Sequence, residues 1–547
     1  MSDRLTGHAG AHAVAVAQEY GVSTMWTLSG GHVFPLYDGA VTADPPMRLL
    51  DVRHEQTAVF GAEATGKLTR RPGLAVVTAG PGVTNGMSAV ATAHFSGSPL
   101  VVLGGRAPDH RWGAGLLQEL DQPPLLAPIT KRAWTVHEPG KVGAAVEDAF
   151  RLASGAHRGP VFLDVPMDHL FAQAEADRPA IGERQKHTPD PDAITAVARL
   201  LDEAERPVLV LGSDVWLDGA EEAARAAAEE LGVPVVTNGQ GRGVLPYGHE
   251  LLVTRARGLA FGQADLVIVA GTPLDFRLGF GAFGGKDGAP PAKVVHIADA
   301  PDQIATHVEL AGSVAGDLSA VFAGLAAAVK GGAYRPWRDR LTEAVCAAIA
   351  GDADLLNSDS DPINPGRIYG ELNRLLDDDA VVIGDGGDFV SYAGKYIEPK
   401  RPGCWLDPGP YGCLGTGLGY AAAARLARPS SQVVLLLGDG AAGFSLMDVD
   451  TLVRHKLPVV MVCGNNGIWG LEKHPMQFLY GYDVAADLQP QCRYDEVVRG
   501  LGGAGELVTK PEEIGPALRR AFDSGVPYMV NVATDPENAY PRSTTGI

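Results

Sequence analysis

Cysteine pairs are missing from this 547-residue chain. Its five cysteines, Cys346, Cys404, Cys413, Cys463 and Cys492, are scattered without a CxxC or CxxxC spacing. That argues against a disulfide frame or a cysteine-based zinc site and fits the reduced thiols of a cytoplasmic protein. Basic charge is short as well: 45 Lys and Arg stand against 65 Asp and Glu, a net charge of -20. A surface of that sign argues against nucleic acid or an anionic membrane as the main partner, and it leaves room for a local basic pocket. No apolar run approaches the roughly 18 residues that a membrane-spanning helix needs. The opening "MSDRLTGHAGAHAVAVAQEYGV" reads as a helix with interspersed polar residues, not as a signal peptide.

Glycine, in contrast, is abundant at 69 residues, which suits an enzyme with many tight strand-to-helix turns. Short apolar runs such as "LAVVTA", "PVFLDVP", "PVLVLG", "DLVIVAG", "VVIGD" and "QVVLLLGD" alternate with Ala-rich helical stretches such as "EEAARAAAEELG". Proline before and glycine after such runs is the punctuation of buried parallel strands, and βαβ units are the economical reading. The chain is too long for one core. Polar, Pro-rich breaks at 172–193 and 331–366 divide it into three doubly wound parallel-sheet α/β domains, at 1–172, 190–335 and 355–547.

Ligands gather at the carboxyl ends of parallel strands. Two apolar runs end there in small polar clusters, Gly438-Asp439-Gly440 and Asn465-Asn466-Gly467, with Asp439 and Asn466 27 residues apart. A carboxylate and an amide oxygen, completed by a backbone carbonyl and water, are the hard ligands Mg²⁺ takes, usually together with phosphates. Gly440 and Gly443 leave the backbone bare for the close approach of a diphosphate. Ordinary glycine turns explain either half alone; the pair at this spacing calls for more.

GDG followed by NN resembles the thiamine diphosphate-binding motif, and the resemblance to that enzyme superfamily runs nearly end to end. It implies pyrimidine-binding, central nucleotide-type and diphosphate-binding domains. It also implies Mg²⁺ held by Asp439, Asn466 and the carbonyl of Ile468, with Gly438 and Gly440 at the diphosphate. Glu55, in "DVRHEQTAVFGAEATGKLT" (51–69), matches the family glutamate that contacts the cofactor's pyrimidine ring from a neighbouring subunit. A homodimer or homotetramer follows from that pairing. "TAGPGVTNG" (78–86) is the matching Gly-rich turn. "LDPGPYGCLGTGLGYAAAARLA" (406–427) is similar to the segment beneath the cofactor, with Gly412 in its turn and Leu414 as the apolar prop.

Within the superfamily, that segment, "NNGIWG" and "GTPLDFRLGFG" (271–281) are most similar to the 2-hydroxyacyl-CoA lyases and oxalyl-CoA decarboxylase, near actinobacterial proteins labelled acetolactate synthase. Three further residues are expected at the reacting carbon: His32 in "LSGGHVFPLYD", Gln118 in "LLQELDQPPLLAPITKRAW" and Glu472 in "GIWGLEKHPM". Glu472 is expected to be desolvated and to move the substrate hydroxyl proton. Leu117-Gln118 replaces the Tyr-Glu of oxalyl-CoA decarboxylase, which counts against that reaction. The resemblance gives the central domain ADP or FAD as an occupant, or none, with Arg277 and Asp299 as nucleotide contacts. A thiamine diphosphate and Mg²⁺-dependent 2-hydroxyacyl-CoA lyase is the leading expectation, acting on an acyl-CoA. Acetolactate synthase, acting on a 2-oxo acid, a benzaldehyde-lyase-like carboligase and a non-catalytic paralogue are the alternatives.

Overall fold

The computed structural model describes residues 4–332, 334–538 and 540. It contains three parallel sheets, each covered by helices on both faces. In the N-terminal sheet the strands lie in the order Arg48–Asp51, Thr24–Thr27, Gly73–Val77, Leu100–Arg106, Pro160–Pro166, Ala133–Thr135. The C-terminal sheet runs Trp405–Leu406, Val381–Asp385, Val433–Gly438, Val460–Asn465, Tyr528–Ala533, Ala504–Val508. Counted along the chain, both sheets have the same spatial order, 2-1-3-4-6-5. The central sheet is 2-1-3-4-5, with Val235–Thr237, Pro207–Leu211, Leu266–Ala270, Lys293–Ala298 and Gly312–Ala315. The middle strands are buried along their whole length, which is why they read as unbroken Val and Leu runs rather than alternating ones.

An antiparallel ribbon pairs Arg4–His8 with Gln173–Asp177. Between Asp177 and the helix Pro191–Glu203 the chain forms no regular element, but Lys186 pairs with Asp317 at 2.7 Å and Arg184 with Asp218. The helix Arg335–Gly351 buries Trp337 and Leu341 against strands of the central sheet. Among the described residues no helix is long and apolar enough to cross a membrane, and all five cysteines are free. The terminal string "AYPRSTTGI" lies outside the described residues except for Tyr540.

The two outer domains share one hydrophobic core, built from Trp26, Phe60, Phe162, Leu418, Tyr420 and their neighbours. Its seam is the helix Glu55–Thr69 against the helix Gly417–Ala427. A side chain at Gly419 would put Cβ 2.9 Å from the Thr57 carbonyl oxygen, so glycine sets how closely the helices approach. Across this seam Lys67 Nζ lies 2.8 Å from Glu63 Oε1 and donates to the Tyr420 hydroxyl at 2.9 Å; that hydroxyl donates to Glu63 Oε2 at 2.8 Å. Ser98 Oγ donates to Glu63 Oε1 at 3.0 Å. Each charge is buried and each is answered.

Removing one member should therefore cost more than removing the pair. Lys67→Met leaves the Glu63 carboxylate buried without its cation, and a loss of about 3–5 kcal/mol is expected. Urea unfolding followed by tryptophan fluorescence measures it, and Lys67→Met/Glu63→Leu should recover most of the loss. An unchanged midpoint in the single variant would mean that the triad does not hold the seam.

Candidate active site

Where the strand order reverses, neighbouring loops diverge and leave a crevice. In the C-terminal sheet this falls between Val381–Asp385 and Val433–Gly438, and Asp439 stands at its edge as the first residue of the helix Asp439–Ser445. The adjoining strand Val460–Asn465 delivers Asn466 and Ile468. Asp439 is buried. Its Oδ2 accepts the Gly467 N–H at 2.6 Å and its Oδ1 accepts the Gly440 N–H at 2.9 Å. Burial pushes this carboxyl up to about 6 despite those backbone donors. The Asn466 side-chain oxygen accepts the Ile468 N–H at 3.2 Å and so shapes the turn that carries Ile468. Cβ on Gly440 would lie 2.5 Å from the Trp469 ring, whereas Cβ on Gly412 or Gly443 would meet nothing within 4 Å.

A cavity of about 460 Å³ opens at this crevice. Gly412, Leu414, Gly438, Asp439, Gly440, Asn466 and Ile468 all line it, so the expected C-terminal set is brought together. Arg277 and Glu472 line it too. Glu472 is not the desolvated carboxylate the sequence suggested. It sits exposed on the first turn of the helix Gly470–Tyr480, which buries none of its residues within the chain. Asp385, at the end of its own strand, drew no functional reading from the sequence. Fully enclosed, it accepts the N–H groups of Gly415 at 3.1 Å and Gly417 at 2.9 Å. It thereby anchors the turn carrying Gly412 and Leu414, and burial pushes its carboxyl up to about 7.

The N-terminal sheet carries a second cluster at its own reversal point, between Thr24–Thr27 and Gly73–Val77. His32 Nδ1 lies 3.1 Å from Thr78 Oγ1, and that hydroxyl is 3.5 Å from Gln118 Oε1. Burial lowers the His32 pKa, which keeps the ring neutral at pH 7. Gln118 has a left-handed backbone (φ 61°) where its loop folds onto Gly80. Glu55 is 7% exposed and accepts from Asn85 Nδ2 at 3.0 Å. None of His32, Gln118 or Glu55 lines the Asp439 cavity of the same chain. Gln56, next to Glu55, does reach across, donating to the Leu414 carbonyl at 3.3 Å.

At the central sheet's reversal point lies a larger cavity of about 700 Å³, lined by Ser213, Asp214, Gly271, Thr272, Lys131 and Arg277 among others. It shares Phe276, Arg277, Asp407 and Gly409 with the Asp439 cavity. Arg277 is held by Asp275 at 2.7 Å, and burial brings the Lys131 ammonium down to about 8. Asp299, expected as a nucleotide contact, is not in that lining. Its carboxylate is 1% exposed and is taken by His157 Nδ1 at 2.8 Å and Arg158 at 3.1 Å.

Residues 8–125 match the N-terminal TPP binding domain of thiamine pyrophosphate enzymes, 194–325 the central domain and 385–532 the C-terminal TPP binding domain. The chain is 50% identical to a probable acetolactate synthase of Mycobacterium bovis over 541 residues, 98% of this chain and 97% of the relative. An acetolactate synthase large subunit of Mycobacterium tuberculosis matches equally. Human 2-hydroxyacyl-CoA lyase 2 is 32% identical over 577 residues, covering 96% of this chain and 90% of the relative.

The Asp385 anchor is directly testable. In Asp385→Asn one carboxylate oxygen becomes an NH₂ facing a backbone N–H, and a buried donor left unpaired costs about 1–3 kcal/mol. Thiamine diphosphate affinity, read by calorimetric titration in Mg²⁺, should fall about tenfold or more while circular dichroism stays unchanged. Undiminished affinity would rule out Asp385 as the support of the Gly412–Leu414 turn.

Proposed function

We propose that this chain, which belongs to the thiamine pyrophosphate enzyme family, is a 2-hydroxyacyl-CoA lyase that joins formyl-CoA to an aldehyde or ketone and catalyses the reverse cleavage. The observation that carries this reading is the pair of adjoining cavities with four lining residues in common. An acyl-CoA is long, with a nucleotide at one end and a reactive thioester at the other. A crevice of about 700 Å³ at a nucleotide-type sheet, leading by way of Arg277 to the Asp439 crevice, suits such a molecule. Pyruvate needs no second cavity. ADP fits the same central crevice; the FAD-holding string of the synthases is missing, as "GTPLDFRLGFG" stands there instead.

The residues present fit the cofactor. Asp439, Asn466 and the Ile468 carbonyl form a hard-oxygen donor set that would hold Mg²⁺, and the bare backbone at Gly412 leaves space that a diphosphate can take, whereas Gly443 is exposed and lies outside the cavity lining. When bound, thiamine diphosphate supplies a nucleophilic C2 and an electron sink for the carbon attached to it. Glu55 would hold a proton at the pyrimidine ring, and Leu414 would support the cofactor's bend. Neutral His32 and Gln118 can hydrogen-bond substrate oxygens, and Glu472 can exchange a proton at the cavity wall once it is covered.

Two features support a homodimer, or a dimer of dimers, as what covers it. Glu55 does not line its own chain's Asp439 cavity, and Phe478, Leu479 and Tyr480 stand exposed beside that cavity's wall. The five free thiols support a cytoplasmic location. Acetolactate synthase is the second reading, favoured by the 50% identity to proteins of that name.

Incubation with formyl-CoA plus a small aldehyde or ketone should yield a 2-hydroxyacyl-CoA, and incubation with pyruvate should yield little acetolactate. The opposite pattern would establish the synthase reading instead. Asp439→Ala should weaken cofactor binding by orders of magnitude in Mg²⁺ titrations. Glu55→Gln should bind cofactor nearly normally and slow C2 proton exchange, measured by deuterium incorporation. Equal loss of binding in both variants would refute this division of roles.

A further inference from the structure

Three strands of the N-terminal sheet end side by side, and each delivers one metal-type donor outside the site described above. Asp109 follows Leu100–Arg106, His169 lies in the turn of helix after Pro160–Pro166, and His137 follows Ala133–Thr135; the strands are neighbours in that order. Asp109 Oδ2 lies 2.5 Å from His137 Nδ1 and 2.9 Å from His169 Nε2, and the three donor atoms fall within 4.8 Å of one another. Behind them, Asp168 accepts the N–H groups of Asp109 at 3.1 Å and His110 at 3.4 Å, and its Oδ2 lies 3.2 Å from His110 Nδ1. The turn that presents Asp109 is thus fixed from its inner side.

We propose that Asp109, His137 and His169 form a binding site for a borderline divalent cation, with Zn²⁺ the first candidate. An ion pair needs one imidazole; here two imidazoles and a carboxylate bring three lone-pair donors within 4.8 Å of one another. A cation takes a lone pair from all three groups at once. Zn–N bonds of about 2.0–2.1 Å and Zn–O bonds of about 2.0–2.2 Å set tetrahedral donors roughly 3.3 Å apart. The carboxylate therefore has to withdraw from the imidazoles by less than about 1 Å, and the two imidazole nitrogens, which lie within 4.8 Å of each other, have to settle at about the same 3.3 Å. Two nitrogen donors select Zn²⁺, Co²⁺ or Ni²⁺ over Mg²⁺ and Ca²⁺, which take oxygen. Solvent completes the fourth position, since all three side chains are partly exposed.

The place of this cluster gives it a consequence. Asp109 begins the loop that carries Gln118 and Gln122, and the far end of that loop is tied by Arg106 to Asp121 at 3.1 Å. A bound ion fixes the near end, linking it to the ends of two further strands. Occupancy then sets how firmly the Gln118 loop is held against Thr78 and Gly80.

The test uses the untagged full-length protein loaded with thiamine diphosphate and a large excess of Mg²⁺, under reducing conditions. Zn²⁺ is titrated calorimetrically, and Co²⁺ is followed by its visible absorption. One equivalent should bind to the wild type, and Co²⁺ should give the intense visible bands of a four-coordinate nitrogen–oxygen site. His137→Ala, at a residue exposed enough to tolerate the change, and His169→Ala should each weaken Zn²⁺ binding at least about tenfold. His249→Ala, at a distant histidine paired with Glu229, should leave it unchanged. Equal Zn²⁺ affinity in wild type and His137→Ala, or no stoichiometric binding, would overturn the proposal.

Discussion

A parallel sheet hands its chemistry to the carboxyl ends of its strands, and the reversal of strand order decides where a ligand can enter. The arrangement of this molecule depends on that constraint, met three times over. At the reversal of the C-terminal sheet stand Asp439 and Asp385, at that of the N-terminal sheet His32 and Thr78, and at that of the central sheet Ser213, Asp214 and Thr272. On either side of these two strands the helices pack against opposite faces, so the loops part and backbone N–H groups are left pointing into a gap. Everything that recognises a ligand is grafted at such gaps, while the Val and Leu runs beneath them only hold the loops in register.

The gaps must also be held relative to one another, and here the seam between the outer domains matters. The helix that starts at Glu55 continues into the Glu63–Lys67–Tyr420 triad and packs on the helix that follows the Leu414 turn. Thr57 donates to Asp448 at 2.6 Å, and the Arg53 N–H reaches the same carboxylate at 2.8 Å. A displacement of the Glu55 helix therefore shifts Leu414 and the helix after Asp439 together. Burial raises both the Asp439 and the Asp385 carboxyls, Asp439 at the wall of the crevice and Asp385 fully enclosed behind it. That desolvation makes a cation a favourable neighbour for the Asp439 carboxylate.

What the sequence made legible follows from distance along the chain. Asp439 and Asn466 could be picked out because each lies within a strand-and-turn unit whose pattern is contiguous, Ile468 only through that turn's resemblance to the thiamine diphosphate motif, and the unbroken apolar runs announced the sheets. Asp385 ended its "VVIGD" run just as Asp439 ended "VVLLLGD", yet its task, gripping Gly415 and Gly417, depends on a partner some 30 residues away. Asp299 sits at a strand end as a ribose contact would, but two cationic side chains from the neighbouring domain, His157 and Arg158, reach it first. The exposure of Glu472 was equally illegible, because burial of the helix Gly470–Tyr480 is settled by what packs on it and not by its own period.

The Asp109, His137 and His169 cluster carries the same reasoning to its furthest point. Along the chain these residues belong to three separate segments with no common spacing, and nothing in their local sequence links them. Sheet order links them, because the strands Leu100–Arg106, Pro160–Pro166 and Ala133–Thr135 lie edge to edge and their carboxyl ends cannot help but converge. Reading a ligand set from such a protein therefore takes two steps: first which strands are adjacent, then which donors stand at their ends or up to four residues past them. Applied to the C-terminal sheet, that procedure returns Asp385, Asp439 and Asn466. Applied to the N-terminal sheet, it returns Thr78 at the reversal and Asp109, His137 and His169 toward the edge, so the two kinds of site arise from one architectural rule.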